Sequence, residues 1–360
     1  MNSLRKINFN AGPSALPDDV LAQASEAVIE YNKSGMSILE IPHRGKEFDA
    51  ILQESFALVR ELCQIDDDYE VLWMHGGGRT QFCMIPMNFL GEEDSAGYID
   101  SGHWAEQALE AAAFYGDVQV LTSSKDVNYS RLPEWPSNIP KQLAYLHFTT
   151  NNTIYGTQWH QIPKTHVPLI ADMSSDIFYK KQSYNHYDMF YAAAQKNMGP
   201  AGVTLVVIRK DMLDRIDRDL PSMFNYKAHV NSRSLLNTPP VFAIYASLLM
   251  LRWTKQKGLD IVEKENILKA QMLYNELDRN SMFEPTVKHK PDRSLMNVCF
   301  TAANNADENA FLDFCSARNI TGIKGHRFVG GFRVSIYNGV TVTAVNALVE
   351  AMKEFEASKK

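Results

Sequence analysis

The run Val71-Leu72-Trp73-Met74-His75-Gly76-Gly77-Gly78-Arg79 passes from four apolar residues into three glycines, and a helical pattern then continues to about Leu90. A short buried strand, a glycine turn and a helix in that order bring backbone amides and a helix N-terminus to one point, the arrangement that cradles an anion. Further apolar runs follow at 118–122, 143–148, 167–173, 189–193 and 203–208, with helical patterns between them. Helical patterns also precede the run. One covers about 17–31, with Pro17, Asp18 and Asp19 where a helix N-terminus favours them, and another covers 47–62. Buried runs alternating with helices predict an α/β fold whose mainly parallel sheet is covered by helices on both faces.

After Pro239-Pro240 the pattern predicts one long helix over 241–277, then strands at 295–300 and 332–336 and a closing helix over 341–355. That is a smaller α+β unit. A chain of 360 residues fits two domains of unequal size. The expected division is a large domain over 15–255 and a small C-terminal domain over 256–360, with segment 1–14 joining the smaller one.

Composition narrows the function. Lys+Arg number 36 against 42 Asp+Glu, a formal charge of −6, which argues against a protein that coats nucleic acid. Any anion must therefore meet a local basic cluster. The most apolar stretch, 241–251, is far shorter than the roughly 20 residues of a membrane span. The N-terminus turns polar before a signal-peptide core develops, so a cytoplasmic location is expected. Cys63, Cys83, Cys299 and Cys315 are scattered without zinc or disulfide-scaffold spacing.

The glycine run matches neither common nucleotide signature, because glutamine stands where a dinucleotide fingerprint needs its third glycine and no Gly-Lys-Ser/Thr occurs. It reads as a single-phosphate nest flanked by Arg79 or as an ordinary tight turn. Lys196, in Ala192-Ala193-Ala194-Gln195-Lys196-Asn197-Met198-Gly199, follows a strand among small residues. Such a lysine either reaches solvent or, desolvated, forms a Schiff base with a carbonyl. Asp172 ends an apolar strand, either as a turn residue or as the partner of a pyridinium nitrogen. Trp104, at a helix start, is either a core residue or a stacking face. Phosphate cradle, stacking aromatic, acid and lysine together describe a site for pyridoxal 5'-phosphate.

At this point the chain resembles a known family. Gln195-Lys196-Asn197-Met198-Gly199-Pro200-Ala201-Gly202 is similar to the cofactor-lysine signature of the class V aminotransferases. Five further motifs resemble the phosphoserine aminotransferase branch of that family. They are Phe9-Asn10-Ala11-Gly12-Pro13, His43-Arg44-Gly45-Lys46-Glu47-Phe48, the His75–Arg79 loop, Asn237-Thr238-Pro239-Pro240, and the run from Lys324 through Gly325-His326-Arg327-Phe328 to Arg333. They span nearly the whole chain.

The resemblance implies the fold-type-I architecture and makes Lys196 the Schiff-base lysine, Asp172 the partner of the ring nitrogen and Trp104 the stacked ring. Gly78 and Arg79 hold the cofactor phosphate, assisted by Gln195, and Thr153 bonds the ring hydroxyl. Asn237 and Thr238 reach the phosphate from a neighbouring subunit, which implies a homodimer with shared sites. Arg333 anchors the substrate α-carboxylate, as a planar guanidinium suits. His43, Arg44, His326 and Arg327, with Arg79 nearby, bind the substrate phosphate or the glutamate side chain. The implied reaction transfers the amino group of glutamate to 3-phosphohydroxypyruvate in serine biosynthesis, and family members often also accept a phosphorylated hydroxy-threonine of pyridoxine biosynthesis.

Tyr179-Lys180-Lys181 and Asn151-Asn152-Thr153 depart from the family pattern, the second with its threonine in place. The competing readings are an alanine–glyoxylate-type transaminase or a cysteine desulfurase of the same class, or a catalytically silent scaffold. Cysteines placed in a helix and a strand disfavour a mobile desulfurase nucleophile, and an alanine-using enzyme has little use for a second basic cluster.

Overall fold

The structure is a computed structural model that describes residues 5–304 and 306–359. Residues 1–4 of the expected N-terminal segment, and Asn305 and Lys360 of the expected C-terminal domain, lie outside the described residues. From the N-terminus come β1 (Ile7–Asn8), α1 (Asp18–Ile29), α2 (Lys46–Cys63), β2 (Tyr69–His75), α3 (Gly78–Phe89), β3 (Ser95–Asp100), α4 (His103–Ala112) and β4 (Asp117–Ser123). Then follow β5 (Leu146–Thr149), β6 (Leu169–Asp172), β7 (Met189–Ala193), β8 (Val203–Arg209), α5 (Lys210–Asp214), α6 (Tyr226–Asn231), α7 (Val241–Lys257) and α8 (Leu259–Arg279). The chain closes with β9 (Phe283–Pro285), β10 (Asn297–Ala302), α9 (Asp307–Ser316), β11 (Ile320–Thr321), β12 (Phe332–Ser335) and α10 (Val342–Lys359).

Seven strands form one sheet in the order β2-β8-β7-β6-β5-β3-β4. Pairings from β7 through β6, β5 and β3 to β4 are parallel, whereas β8 runs antiparallel to both β7 and β2. The middle strands are buried along their whole length, as Met189-Phe190-Tyr191-Ala192-Ala193 shows, because helices cover both faces. One face packs Phe148, Phe190 and Leu205 against Phe48 and Leu248 of α2 and α7. The other packs Ile170, Tyr191 and Ile208 against Phe82 and Tyr226.

A second sheet, β12-β10-β9, is antiparallel and builds a separate core of Phe283, Phe300, Phe311, Phe332 and Phe355. Phe9 belongs to this core, and β1 pairs with β11 through Ile7 and Ile320. Segment 5–14 also reaches the other unit, where Ser14 donates from its backbone to Gln195 O at 3.0 Å and from its hydroxyl to Lys196 O.

The single long helix expected over 241–277 is instead two. Gly258 adopts a φ of +82°, caps α7 by donating to Thr254 O, and accepts from Val262 N to start α8. The sequence of strand β3, Ser-Ala-Gly-Tyr-Ile-Asp, does not predict a strand. Its polar ends and small residues carry no apolar signal, yet Gly97 has to be small: a Cβ there would lie 2.8 Å from Leu143 Cδ1.

Candidate active site

Parallel strands open their C-terminal ends to one edge, where ligands of α/β sheets collect. Here the ends of β6 and β7 and the start of α3 and α4 enclose a cavity of about 250 Å³. Gly78, Arg79, Trp104, Asp172, Gln195 and Lys196, six residues from four distant stretches of chain, line it. Larger surface clefts exist, including one of about 570 Å³ at the start of α10, but its Arg5 and Lys257 are already paired with Asp18 and Glu265.

The cavity's floor follows from local backbone chemistry. Gly76 has a φ of +87°, and a Cβ there would meet Thr80 Oγ1 at 2.2 Å, so only glycine turns the chain from β2 into α3. The first amides of α3 have no carbonyl of their own helix to bond. A Cβ at Gly78 would point into the cavity, 3.7 Å from Ser174 Oγ and 3.9 Å from Asp172 Oδ2, so glycine keeps that space open. Asp172 is buried and accepts from Ser174 N at 2.9 Å through Oδ1.

Lys196 retains some exposed surface toward the cleft, but burial of its ammonium pushes its pKa down. Asp172 and Asp176 oppose that shift, and Arg333 adds to it. Its Nζ donates to Thr153 Oγ1 at 3.0 Å and lies 5.6 Å from the Trp104 ring centroid. The same ring has Arg79 Cζ at 5.7 Å. Trp104 Nε1 is buried and unpartnered among the described residues.

Arg333 lies on β12, paired in register with Cys299. His326, Arg327 and Phe328 precede that strand, and Phe328 joins the two units at the mouth of the cleft. Its ring lies 5.0 Å from His103, 4.8 Å from His326 and 4.9 Å from the Arg327 guanidinium. Burial pushes both histidines down from the ordinary imidazole value. Among the described residues no acid forms a salt bridge with Arg79, Arg327 or Arg333.

Thr153, His326, Arg327 and Arg333 are not among the residues lining the cavity, nor are the other four residues named from sequence. His43 and exposed Arg44 lie just before α2, and Asn237 and exposed Thr238 lie in the loop before α7. None of them lines the cavity. An ion pair, Arg233 Nη2 to Asp49 Oδ1 at 3.3 Å, joins the first turn of α2 to the stretch just before this loop.

Sequence reasoning passed over Ser174 and His103. Ser174 holds Asp172 with its backbone and accepts from Ala193 N through its hydroxyl at 3.1 Å. The His103 ring lies beside Trp104, tilted at 59° with centroids 5.1 Å apart. Both neighbour residues that were singled out, in Asp172-Met173-Ser174 and His103-Trp104, and that adjacency was the available signal.

The class-V aminotransferase family matches residues 7–348. The chain belongs to that family. The phosphoserine aminotransferase of Phocaeicola vulgatus is 46% identical over 356 residues, covering 98% of this chain and 99% of that protein. The solved phosphoserine aminotransferase of Bacillus circulans subsp. alkalophilus superposes with a TM-score of 0.97 at 41% identity, over 99% of this chain and 100% of the other. A phosphoserine aminotransferase of Trichomonas vaginalis solved with pyridoxal phosphate bound gives 0.92 at 34% identity, over 97% and 100%.

The aminotransferase is thus a pyridoxal-phosphate enzyme, and the cavity's chemistry fits that group. It offers free helix amides and Arg79 for a phosphate, an acid at the back, a flat ring with an orphaned N–H at the side, and one desolvated amine. Among the described residues no cluster of three or more His, Cys, Asp or Glu could hold a metal ion. No helix among them is long and apolar enough to cross a membrane.

Proposed function

We propose that this aminotransferase moves the amino group of L-glutamate onto 3-phosphohydroxypyruvate, giving O-phospho-L-serine and 2-oxoglutarate, and that it works as a homodimer. One observation carries this reading. Two guanidiniums, Arg333 and Arg327, have no carboxylate partner among the described residues, and Arg333 acts on the Lys196 ammonium, so the site offers separate cations for a substrate with two anionic ends. An alanine-type substrate uses only one. A desulfurase reading fares worse, because Cys299 and Cys315 are buried and their thiols are pushed up to about 12, away from the reactive thiolate.

Each residue then has a task. Gly78 and Arg79 would hold the phosphate of pyridoxal phosphate with help from Gln195, Trp104 would stack on its ring, Thr153 would bond its hydroxyl, and the Asp172 carboxylate would keep a proton on its ring nitrogen. Pyridoxal phosphate, when bound, supplies the electron sink for charge that develops at the substrate Cα. Arg333 grips the α-carboxylate and so turns the Cα–H toward Lys196. The Lys196 amine serves as the general base that takes that proton and, once protonated, as the acid that returns one. Burial serves this step, since a lowered pKa leaves more of the amine neutral at neutral pH.

His326 and Arg327 receive the distal phosphate or carboxylate. His43, Arg44, Asn237 and Thr238 do not line their own cavity, which supports a two-fold dimer that brings them to the partner's site. The division of labour follows residues 15–255 for the cofactor and 256–360, with the N-terminal segment, for the substrate arginines. Four free cysteines accord with a reducing, cytoplasmic compartment. A phosphorylated hydroxy-threonine presents the same two anionic ends and is a second substrate.

The test is steady-state kinetics with 3-phosphohydroxypyruvate and with its unphosphorylated counterpart, hydroxypyruvate, each against glutamate. The phosphorylated acid is expected to be preferred by at least about a hundredfold in kcat/KM, on the scale of one paired ionic contact. Equal use of the two would overturn the assignment.

A further inference from the structure

Lys269 is the least expected residue in the molecule. It lies in the middle of α8 with no exposed surface, and a lysine is almost never fully buried unless paired. Among the described residues no carboxylate pairs with it; Glu265, one turn earlier, is bound to Lys257 at 2.5 Å. Its three ammonium protons go instead to three carbonyls of one turn: Ile336 O at 2.8 Å, Tyr337 O at 2.8 Å and Val340 O at 2.9 Å. The match of three donors to three acceptors is complete.

That turn lies between the two halves of the proposed chemistry. It begins directly after β12, three residues beyond Arg333. Its Asn338 donates from the backbone to Asn197 Oδ1 at 2.9 Å, and Asn197 is the neighbour of Lys196. The Asn338 side chain donates to Phe178 O and accepts from Asn266 Nδ2, both at 2.9 Å, while Asn197 Nδ2 donates to Ile177 O at 2.5 Å. Residues 177–178 continue the segment that starts at Asp172. The ammonium thus clamps a turn tied at one end to the carboxylate anchor and at the other to the reacting amine.

We infer that Lys269 is a positioning residue: by pinning the Ile336–Val340 turn it fixes Arg333 relative to Lys196, and so sets where the substrate Cα–H lies against the amine. The inference rests on the proposed role of Arg333. Gly78 and Arg79 sit at the start of α3, and the turn's hydrogen bonds reach Asn197 and Phe178 rather than Lys196 or Asp172 themselves, so the clamp governs substrate placement and leaves cofactor affinity largely alone. Misplacing a bound substrate by about an ångström costs on the order of a hundredfold.

The experiment compares Lys269→Met and Arg333→Leu with the parent holoenzyme, measuring kcat/KM for glutamate and the dissociation constant of pyridoxal phosphate from the cofactor-free protein. Lys269→Gln, which keeps two donors on a neutral head, is read identically and stands in if the methionine variant does not fold. The expected result for Lys269→Met is a loss of about a hundredfold in kcat/KM with cofactor affinity within about threefold of the parent. Backbone hydrogen exchange in the cofactor-free protein is expected to quicken at 333–340 and to stay unchanged at 189–193. An unchanged kcat/KM in the Lys269 variants, or cofactor affinity falling in step with it, overturns the inference. If Arg333→Leu itself leaves glutamate turnover intact, it is the role of Arg333 that fails.

Discussion

Lys196 Nζ donates to Thr153 Oγ1 at 3.0 Å, so the amine beyond β7 is held by the loop beyond β5, 43 residues earlier in the chain. An acceptor stabilises the charged amine while burial destabilises it. Thr153→Val removes the acceptor and leaves the burial. The Lys196 amine is then expected to titrate lower still, by about one pH unit for a hydrogen bond to a charged group. Covalent amine labelling of Lys196 in the cofactor-free protein, followed against pH, checks this. A profile that stays put or moves upward contradicts it.

Trp104 spreads its ring beside Lys196 and Arg79 with its N–H unpartnered. Trp104→Ala is expected to weaken pyridoxal phosphate binding about tenfold, the scale of one aromatic stacking contact, with Trp104→Phe restoring most of it. Absorbance titration of the cofactor-free protein measures both. Equal affinity for the alanine variant and the parent would remove Trp104 from the cofactor site.

Asp176 is buried beneath the same loop, accepting from Thr150 Oγ1 at 2.5 Å and from Gln158 Nε2 at 3.1 Å. Burial pushes its carboxyl from 3.8 up to about 7, against those two hydrogen bonds and Lys180, with Asp172 adding to the rise. Between about pH 4 and 7 the folded protein therefore holds a proton that the unfolded chain has lost, and stability falls as pH rises through that window. Asp176→Asn cannot lose a proton there. Its unfolding free energy, from denaturant titrations, is expected to decline less between pH 5 and 8 than that of the parent, the difference being on the order of 2 kcal/mol. Parallel curves would contradict the titration.

Arg327 is exposed and has no acid partner among the described residues, its contact being the Phe328 ring at 4.9 Å. Arg327→Leu is expected to raise KM for the phosphorylated keto acid by about tenfold or more while changing KM for an unphosphorylated analogue little, since a surface arginine without such a task contributes only about 0 to 1 kcal/mol. Equal losses on both substrates would place the phosphate elsewhere.

The chemical centre was legible because strands ending at the cleft are short, wholly buried runs and the glycine turn is explicit. Lys196, Asp172, Trp104 and Gly78 were singled out from residue type and neighbours, and the cavity contains all four. What the sequence withheld was relational. The direction of β8 leaves no trace in an apolar run, since buried strands read alike in either sense. Gly258 looks like one tolerated glycine in a helix until its φ of +82° divides α7 from α8. His103 gains meaning only when Phe328 arrives from the far end of the chain, and Lys269 only when three carbonyls of a distant turn surround it.

The most direct test is the visible spectrum of the purified protein through two half-reactions. The yellow absorbance of the loaded enzyme is expected to bleach on adding glutamate alone and to return on adding 3-phosphohydroxypyruvate, with Lys196→Ala failing to cycle. Absorbance that glutamate leaves unchanged, or that pyruvate restores as readily as the phosphorylated acid, would contradict the account.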